Sequence, residues 1–301
     1  MIISSEQQVT DAALQVMART PDPRLREITM ALVWHLHAFV REVTLSEHVF
    51  REAIAHIVAL GQETTESHNE VVLAAGSLGV STLVCLLNNG NNGQTETSAN
   101  LLGPFWRLGS PKVENGGSLI LSETPGPAMF VDARVQDTAG RPVAGAEVDV
   151  WHSSPVGLYE NQDAQQAEMN LRGKFTTDTD GRFWFWSVKS AGYPIPIGGT
   201  AGKLIKAQGR RNYRPAHLHA LIYKQGFKTI PAQVYVSDDP DIDNDCQFGV
   251  TKALIGTYVR HDEPAPKPGI ASPWYRLDYT FTIEPGEARW PRPPITEKVG
   301  R

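Results

Sequence analysis

Apolar positions recur at three- and four-residue spacing through roughly the first ninety residues, then alternate with polar ones from about residue 126, so a helical texture gives way to an extended one. In "DPRLREITMALVWHLHAFVREV", Asp22 reads as an N-cap and Pro23 as the first helical residue. In "TLSEHVFREAIAHIVALG", Val49, Phe50, Ala53, Ile54, Ile57 and Val58 share a helical face, Thr44 and Glu47 have capping-box spacing, and Gly61 supplies a stop. "SHNEVVL" repeats that start signal at Ser67 and Glu70. The apolar run 71–87 predicts a buried helix. It is short, diluted by Gly and Ser, and lacks the flanking Lys or Arg of a membrane span.

The tract "NNGNNGQTE" (88–96) breaks the helical pattern. Beyond it, "FVDARVQDTAGRPVAGAEVDVWH" predicts two strands around a Gly/Pro turn, and "GKFTTDTDGRFWFWSV" a hairpin at Asp180-Gly181. "HLHALIYKQGFKTIPAQVYV" predicts another hairpin, and "YRLDYTFTI" a further strand. The tail "RWPRPPITEKVGR" is too Pro-rich to form a central element. The expected fold is α+β: a helical domain over 1–95, a linker and lead-in strand over 96–125, and an all-β sandwich over 126–301.

Charge and cysteine content narrow the function classes. A net charge of -5 with no basic stripe argues against nucleic-acid binding. Cys85 and Cys246 form no disulfide framework and no leader opens the chain, so a cytoplasmic location is expected.

Candidate chemistry centres on "RPAHLHAL". In a strand His217 and His219 point to one face while Ala216, Leu218 and Ala220 point to the other, so the pair is either coincidence or half of a metal site. His35 and His37 have the same spacing on a helix, where they do not share a face, and read as packing and surface. A zinc or cupin-like set is poorly supplied. Only His261 follows the pair, the first downstream Glu is Glu263, and Gln225 stands where a cupin Glu would.

Tyrosine is the other donor to weigh. All eight tyrosines fall after residue 158, and Tyr159 and Tyr193 occur in the loop-like contexts "SSPVGLYENQD" and "SAGYPIPIGG". Each alone reads as a core-capping residue with a wet hydroxyl. A phenolate is also a hard anionic donor suited to ferric iron, and with the histidines the two complete a four-donor set. Three further signals read as structural. "TDTDG" (177–181) is a turn, "SDDPDIDNDCQ" (237–247) a solvated acidic loop, and "IGGTAGKL" (197–204) lacks the residues of a phosphate loop.

In order along the chain, "DVWHSSPVGLYE", "LRGKFTTDTDGRFWFWSV", "GYPIP", "RPAHLH" and a Gln sixteen residues after His217 resemble the intradiol ring-cleavage dioxygenases. "LLGPFW" (101–106) resembles that family's strand leading into the active site, and the helical region resembles its dimerising domain. The resemblance implies Tyr159, Tyr193, His217 and His219 as ligands of non-haem Fe(III), with Arg214 and Gln233 facing the substrate ring. It implies a catechol-type diol opened between its hydroxyls by O2, with Tyr193 departing from the metal as a built-in base. Two phenolates and a hydroxide balance a ferric charge, which suits a dry pocket. Implied pocket residues are Leu102, Gly103, Pro104, Phe105, Ile195 and Pro196, with Leu73 and Gly76 closing over them.

"LLGPFW" and "YPIP" are most similar to the branch that opens hydroxyquinol (benzene-1,2,4-triol) to 3-hydroxy-cis,cis-muconate, the enol form of maleylacetate. That branch tends to carry an Asp where this chain aligns Gly76, so catechol and chlorocatechols stay open as substrates. A homodimer through the N-terminal helices, with lipid at the interface, is also implied. The rival class is a non-catalytic binding sandwich, because "VDARVQDTAGRPVAGAEVDVW" also resembles transthyretin-like modules.

Overall fold

A computed structural model describes residues 2–88 and 99–298, so nearly all of the tract 88–96 lies outside the described residues. The chain divides into two compact units, Met1–Val58 and Ala59–Arg301.

The first unit is helical: α1 (Glu6–Met17), α2 (Pro23–Glu42) and most of α3 (Glu47–Gln62). Asp22 caps α2 as the sequence predicts, accepting from Leu25 N at 2.6 Å. Thr44 does not cap α3. It adopts a left-handed φ of 48°, and Ser46 Oγ accepts from Val49 N at 3.3 Å instead. Inside the unit Thr10 is buried, its Oγ1 2.9 Å from His37 Nδ1 and accepting from Arg41 Nη1 at 2.8 Å. His35 is exposed, as expected for a residue off that face.

In the second unit the run 71–87 is not one helix. Gly79, at φ 73°, separates α4 (Glu70–Ser77) from α5 (Val80–Asn88), and the pair bends by 76°. Asn69, not Ser67, caps α4 by accepting from Val72 N at 2.9 Å. α4 buries Leu73, Ala74 and Gly76, whereas α5 leaves Val80, Leu83, Val84 and Leu87 exposed, so only the first half is a buried helix. Among the described residues no single helix is long and apolar enough to cross a membrane; the bent pair passes by length and composition only.

The remainder is a sandwich of two open sheets. One orders β10 (Tyr258–His261), β11 (Trp274–Ile283), β1 (Ala128–Asp137) and β4 (Arg182–Val188). The other orders β3 (Arg172–Thr176), β2 (Glu147–His152), β7 (His217–Tyr223), β8 (Ile230–Val236) and β9 (Ile255–Gly256). A short ribbon pairs β5 (Tyr193–Pro194) with β6 (Tyr213–Arg214). The Asp180-Gly181 turn does not make a hairpin, because β3 pairs with β2 and β4 with β1 across the sandwich. Its chemistry is still that of a turn, with Asp178 Oδ1 accepting from Asp180 N at 2.9 Å and Arg182 N at 2.8 Å.

Period-two alternation sorts the strands. Val131, Ala133 and Val135 of β1, Phe183 and Phe185 of β4, and Leu277 and Phe281 of β11 meet Val148 and Val150 of β2 and Leu218, Ala220 and Ile222 of β7 in the main core. The other face of β2 and β7 carries Trp151, His219 and Leu221, and Trp151 and Leu221 join a second apolar cluster with Leu73, Phe105, Tyr159, Tyr193 and Ile195. Leu218 therefore anchors the strand whose opposite face bears both histidines. Leu218→Ala is expected to cost about 2–5 kcal/mol in urea unfolding, because the emptied volume lies between two sheets that cannot close on it.

Candidate active site

β7 presents His217 and His219 to one side, and three segments bring other groups over them. The first is a 3-10 turn, Glu160–Gln162, entered from Tyr159. The second is the β5–β6 ribbon, whose register sets Tyr193 opposite Arg214. The third is residues 101–106, where Gly103 has φ 77° and a Cβ would lie 3.2 Å from His219 Cε1. Gly103→Ala is expected to cost about 1–2 kcal/mol from the left-handed backbone alone and to push on the His219 ring, visible as a lowered melting temperature.

The four side chains converge. Tyr159 Oη lies 3.3 Å from Tyr193 Oη, 3.3 Å from His217 Nε2 and 3.1 Å from His219 Nε2. Tyr193 Oη is 3.4 Å from His217 Nε2, and the two Nε2 atoms are 3.2 Å apart. All four residues are buried. Four atoms bonded at about 2.0–2.1 Å to a common centre stand roughly 3.3–3.4 Å from one another in a tetrahedron, so the cluster has the spacing of a ligand set. Among the described residues no group of three or more His, Cys, Asp or Glu could hold a metal, so this set exists only because phenols count as donors.

Protonation agrees with that geometry. His217 Nδ1 donates to Pro215 O at 2.7 Å, which leaves the Nε2 lone pair aimed at the cluster. Burial, then the nearby Arg214 charge, pushes His217 down to about 3. Burial, then His217, lowers His219 well below the ordinary imidazole range, and Trp151 stacks on its ring at 4.6 Å and 9°. Both imidazoles are thus neutral, the ligating form. Burial raises both phenols, Tyr159 strongly, so a bound cation has to supply the charge that releases their protons.

A second layer fixes these groups. Glu160, next to Tyr159, accepts from Arg172 Nε at 2.7 Å and Arg107 Nε at 3.1 Å, and Arg172 Nη2 reaches Phe105 O at 2.8 Å. This buried pairing joins the Tyr159 turn to the 101–106 segment. Helix Thr200–Ala207 follows the Tyr193 segment, and its Thr200 and Ala201 amides donate to Glu63 Oε2 at 2.6 Å and Glu70 Oε1 at 2.8 Å. Carboxylates occupy the helix terminus where a phosphate loop would hold its ligand.

Arg214 is buried and held from several sides. It donates to Asp245 Oδ1 and Oδ2 at 3.0 Å each, to Gln233 Oε1 at 2.8 Å and to Tyr235 Oη at 2.7 Å. Burial opposes its charge, but Asp245, Tyr235 and Tyr193 outweigh it and hold its pKa well above the usual value. Gln233 is fully buried and its Nε2 donates to Leu101 O at 2.7 Å. The stretch 237–247 is therefore only in part a solvated acidic loop, with Asp238, Asp243 and Asn244 exposed. Asp241, Asp245, Cys246 and Gln247 are buried, and Asp245 is the counter-ion of Arg214. A buried arginine requires a carboxylate, and that requirement is the one signal by which a reading of the sequence could have found Asp245.

The expected pocket residues separate into groups. Leu73, Phe105 and Ile195 pack with the two phenols. Leu102, Gly103 and Pro104 line a cavity of about 550 Å³. Gly76 is buried, and Pro196 is exposed instead of joining the cluster.

Comparison with known proteins identifies the family of the chain. The family described as Dioxygenase matches residues 103–284, and the one described as Catechol dioxygenase N terminus matches residues 22–96. Hydroxyquinol 1,2-dioxygenase from Rhizobium sp. (strain MTP-10005) is 36% identical over 92% of this chain and 95% of its own length. Catechol 1,2-dioxygenase from Candida albicans is 33% identical over 92% of each. The crystal structure of hydroxyquinol 1,2-dioxygenase from Pseudomonas putida DLL-E4 superposes with a TM-score of 0.82 at 35% identity, covering 93% of this chain and 99% of that one. Such coverage sets aside the transthyretin-like binding module. An α+β chain of N-terminal helices and a β-sandwich, matched over 92–93% of its length by hydroxyquinol 1,2-dioxygenases, belongs to the intradiol ring-cleavage dioxygenase family.

Proposed function

We propose that the enzyme opens hydroxyquinol with O2 to 3-hydroxy-cis,cis-muconate, using a non-haem ferric ion held by Tyr159, Tyr193, His217 and His219. The observation that carries the metal assignment is the 3.1–3.4 Å convergence of two phenol oxygens and two imidazole nitrogens in a buried pocket. The ferric ion would supply the Lewis acidity that polarises a chelated diol ring toward O2. The protein does the rest. Tyr193 takes a substrate hydroxyl proton on its phenolate oxygen, while Tyr159 and the histidines keep their places. Arg214 presents a fixed positive charge beside Tyr193, suited to stabilising negative charge that develops on the ring. Gln233 holds Arg214 and the Leu101 carbonyl in one frame, which makes it a positioning residue. Leu73, Phe105 and Ile195 keep water from the reacting face.

The choice of hydroxyquinol rests on the resemblance of "LLGPFW" and "YPIP" and on the Rhizobium relative; the Candida relative keeps catechol as the second reading. Oxygen uptake with hydroxyquinol against catechol, with the products identified, tests it. A higher kcat/KM for hydroxyquinol and a hydroxymuconate product are expected; a preference for catechol would assign the second reading.

We also propose a homodimer through the helical unit. Trp34, Phe39, Phe50, Ile54 and Ile57 are exposed there, an apolar surface of the kind a partner subunit covers. A cavity of about 640 Å³ lined by Val9, His37, Val40, Arg41 and Leu45 fits a lipid at that site, and the cytoplasm remains the expected compartment. Sedimentation of the purified protein reads the dimer, and lipid extraction followed by mass spectrometry reads the ligand.

A further inference from the structure

His219 stands at one end of a run of rings that takes no part in the proposed ring opening. Trp151 lies on its imidazole at 4.6 Å between centroids and 9° between planes, and Trp106 follows at 6.4 Å and 46°. Trp290 stacks on Trp106 at 6.2 Å and 4°, and Tyr223 on Trp290 at 4.9 Å and 17°. Trp151 and Trp106 are buried, whereas Trp290 and Tyr223 are only partly so. The run therefore leads from a candidate metal ligand to solvent.

The other ring contacts of the four-residue cluster do not reach the surface in this way. Tyr159 and Tyr193 meet Phe105, whose phenyl ring gives up an electron far less readily than an indole or a phenol. His217 meets Tyr235, which is fully buried and has the Arg214 guanidinium 6.0 Å from its ring, a charge that opposes loss of an electron there. The Trp151 run, in contrast, has a direction. Trp151 Nε1 has no hydrogen-bond partner among the described residues, a cost that a phenylalanine filling the same space would avoid. Trp106 Nε1 donates to Asp149 Oδ2 at 3.1 Å, and an acceptor on the indole N–H eases removal of an electron from the ring. A positive hole on Trp151 thus moves downhill to Trp106. Lys174 Nζ lies 4.9 Å over Trp290, but Glu147 Oε1 at 3.2 Å offsets its charge.

We propose that Trp151, Trp106, Trp290 and Tyr223 form an electron-transfer path that drains oxidising equivalents from the metal site to the protein surface, a protective activity separate from ring cleavage. Catechol-type diols supply the oxidant. In air they pass two electrons and two protons to O2, giving a quinone and hydrogen peroxide, and a diol that passes a single electron to a ferric ion departs as a semiquinone and leaves the metal ferrous. Peroxide meeting that site takes one electron from the metal, which returns to ferric, and one from Trp151. With one proton released by Tyr223 and one from the medium it becomes two waters. The hole on Trp151 is filled in turn from Trp106, Trp290 and Tyr223, and a neutral tyrosyl radical is left at the surface for a thiol or a further diol to reduce by one hydrogen atom.

This inference rests on the four-donor iron reading, and its test keeps the two apart. Ferrous-loaded wild type, Trp106→Phe and Trp290→Phe are mixed without air with an equimolar amount of hydrogen peroxide, then frozen for EPR and digested for peptide mass spectrometry. Wild type is expected to show a tyrosyl or tryptophanyl radical and oxidised masses on Trp290 and Tyr223. Trp106→Phe is expected to lose the oxidised Trp290 and Tyr223 masses and to gain oxidation at Trp151 and Tyr159. Trp290→Phe is expected to lose the oxidised Tyr223 mass and to gain oxidation at Trp106 and Trp151. Oxidation confined to Trp151 and Tyr159 in wild type, or distributed alike in all three proteins, overturns the proposal and leaves the ring-cleavage reading intact. Wild type that takes up no iron overturns that reading, and this proposal with it. Should Trp106→Phe fail to fold, Trp290→Phe, altered at a partly exposed ring, decides between the same outcomes.

Discussion

Tyr159→Phe is expected to fold normally, to lose turnover, and to show a weakened and shifted visible band once loaded with iron. The ring's packing survives, because Phe keeps the contact with Phe105 at 4.6 Å between centroids. What disappears is the oxygen that lies within 3.1–3.3 Å of three other donor atoms. Loss of an outer partner of a metal ligand typically costs about 10–100-fold, and loss of an anionic ligand itself should exceed that. The remaining phenol, Tyr193, is the one assigned a proton-accepting role, so it cannot both stay bound and serve as base. Circular dichroism checks the fold, the visible spectrum checks the ligand, and oxygen uptake checks turnover. Unchanged colour and rate would remove Tyr159 from the site.

Arg214→Leu is expected to damage both stability and activity. Asp245 would be left as a buried carboxylate without its cation, a change that costs about 3–5 kcal/mol. Gln233 and Tyr235 would also lose the guanidinium that joins them. Asp245 supplies a pH test of the same pair. Burial pushes its pKa up, but Arg214 and the amides of Gln247 and Gly249 outweigh burial and hold it below the ordinary carboxylate value. A carboxylate depressed in the folded state adds stability that is fully present above its unfolded pKa of about 3.9 and is lost as pH falls through the folded value. Acid unfolding of wild type should therefore include this contribution, and Asp245→Asn should lack it while being less stable at neutral pH. Equal acid sensitivity of the two proteins would contradict the pairing.

How far the sequence could be read depended on the range of each interaction. Strand alternation is local, so the common face of His217 and His219 was legible from two-residue spacing. The Asp22-Pro23 helix start was legible for the same reason. Partner choice is not local. The Asp180-Gly181 turn reverses the chain in either topology, and only packing against β1 and β2 sends its two strands to different sheets. Asp245 lies 31 residues from Arg214, and in an acidic stretch whose Asp238 and Asp243 are exposed it too looks solvated until the arginine is placed. Tyr159 stands 58 residues from His217 and Tyr193 stands 24, separations that no spacing rule encodes; the resemblance to a family, not periodicity, joined them. Near the helix starts, several capping residues competed within three positions, and the backbone chose Ser46 and Asn69 over Thr44 and Ser67.

Metal analysis of the freshly purified protein, read beside its visible spectrum, decides whether two phenols and two imidazoles meet on a ferric ion. One iron per chain with a strong phenolate-to-metal absorption is the expected result. Stoichiometric zinc, or a full complement of iron with no such absorption, would contradict it.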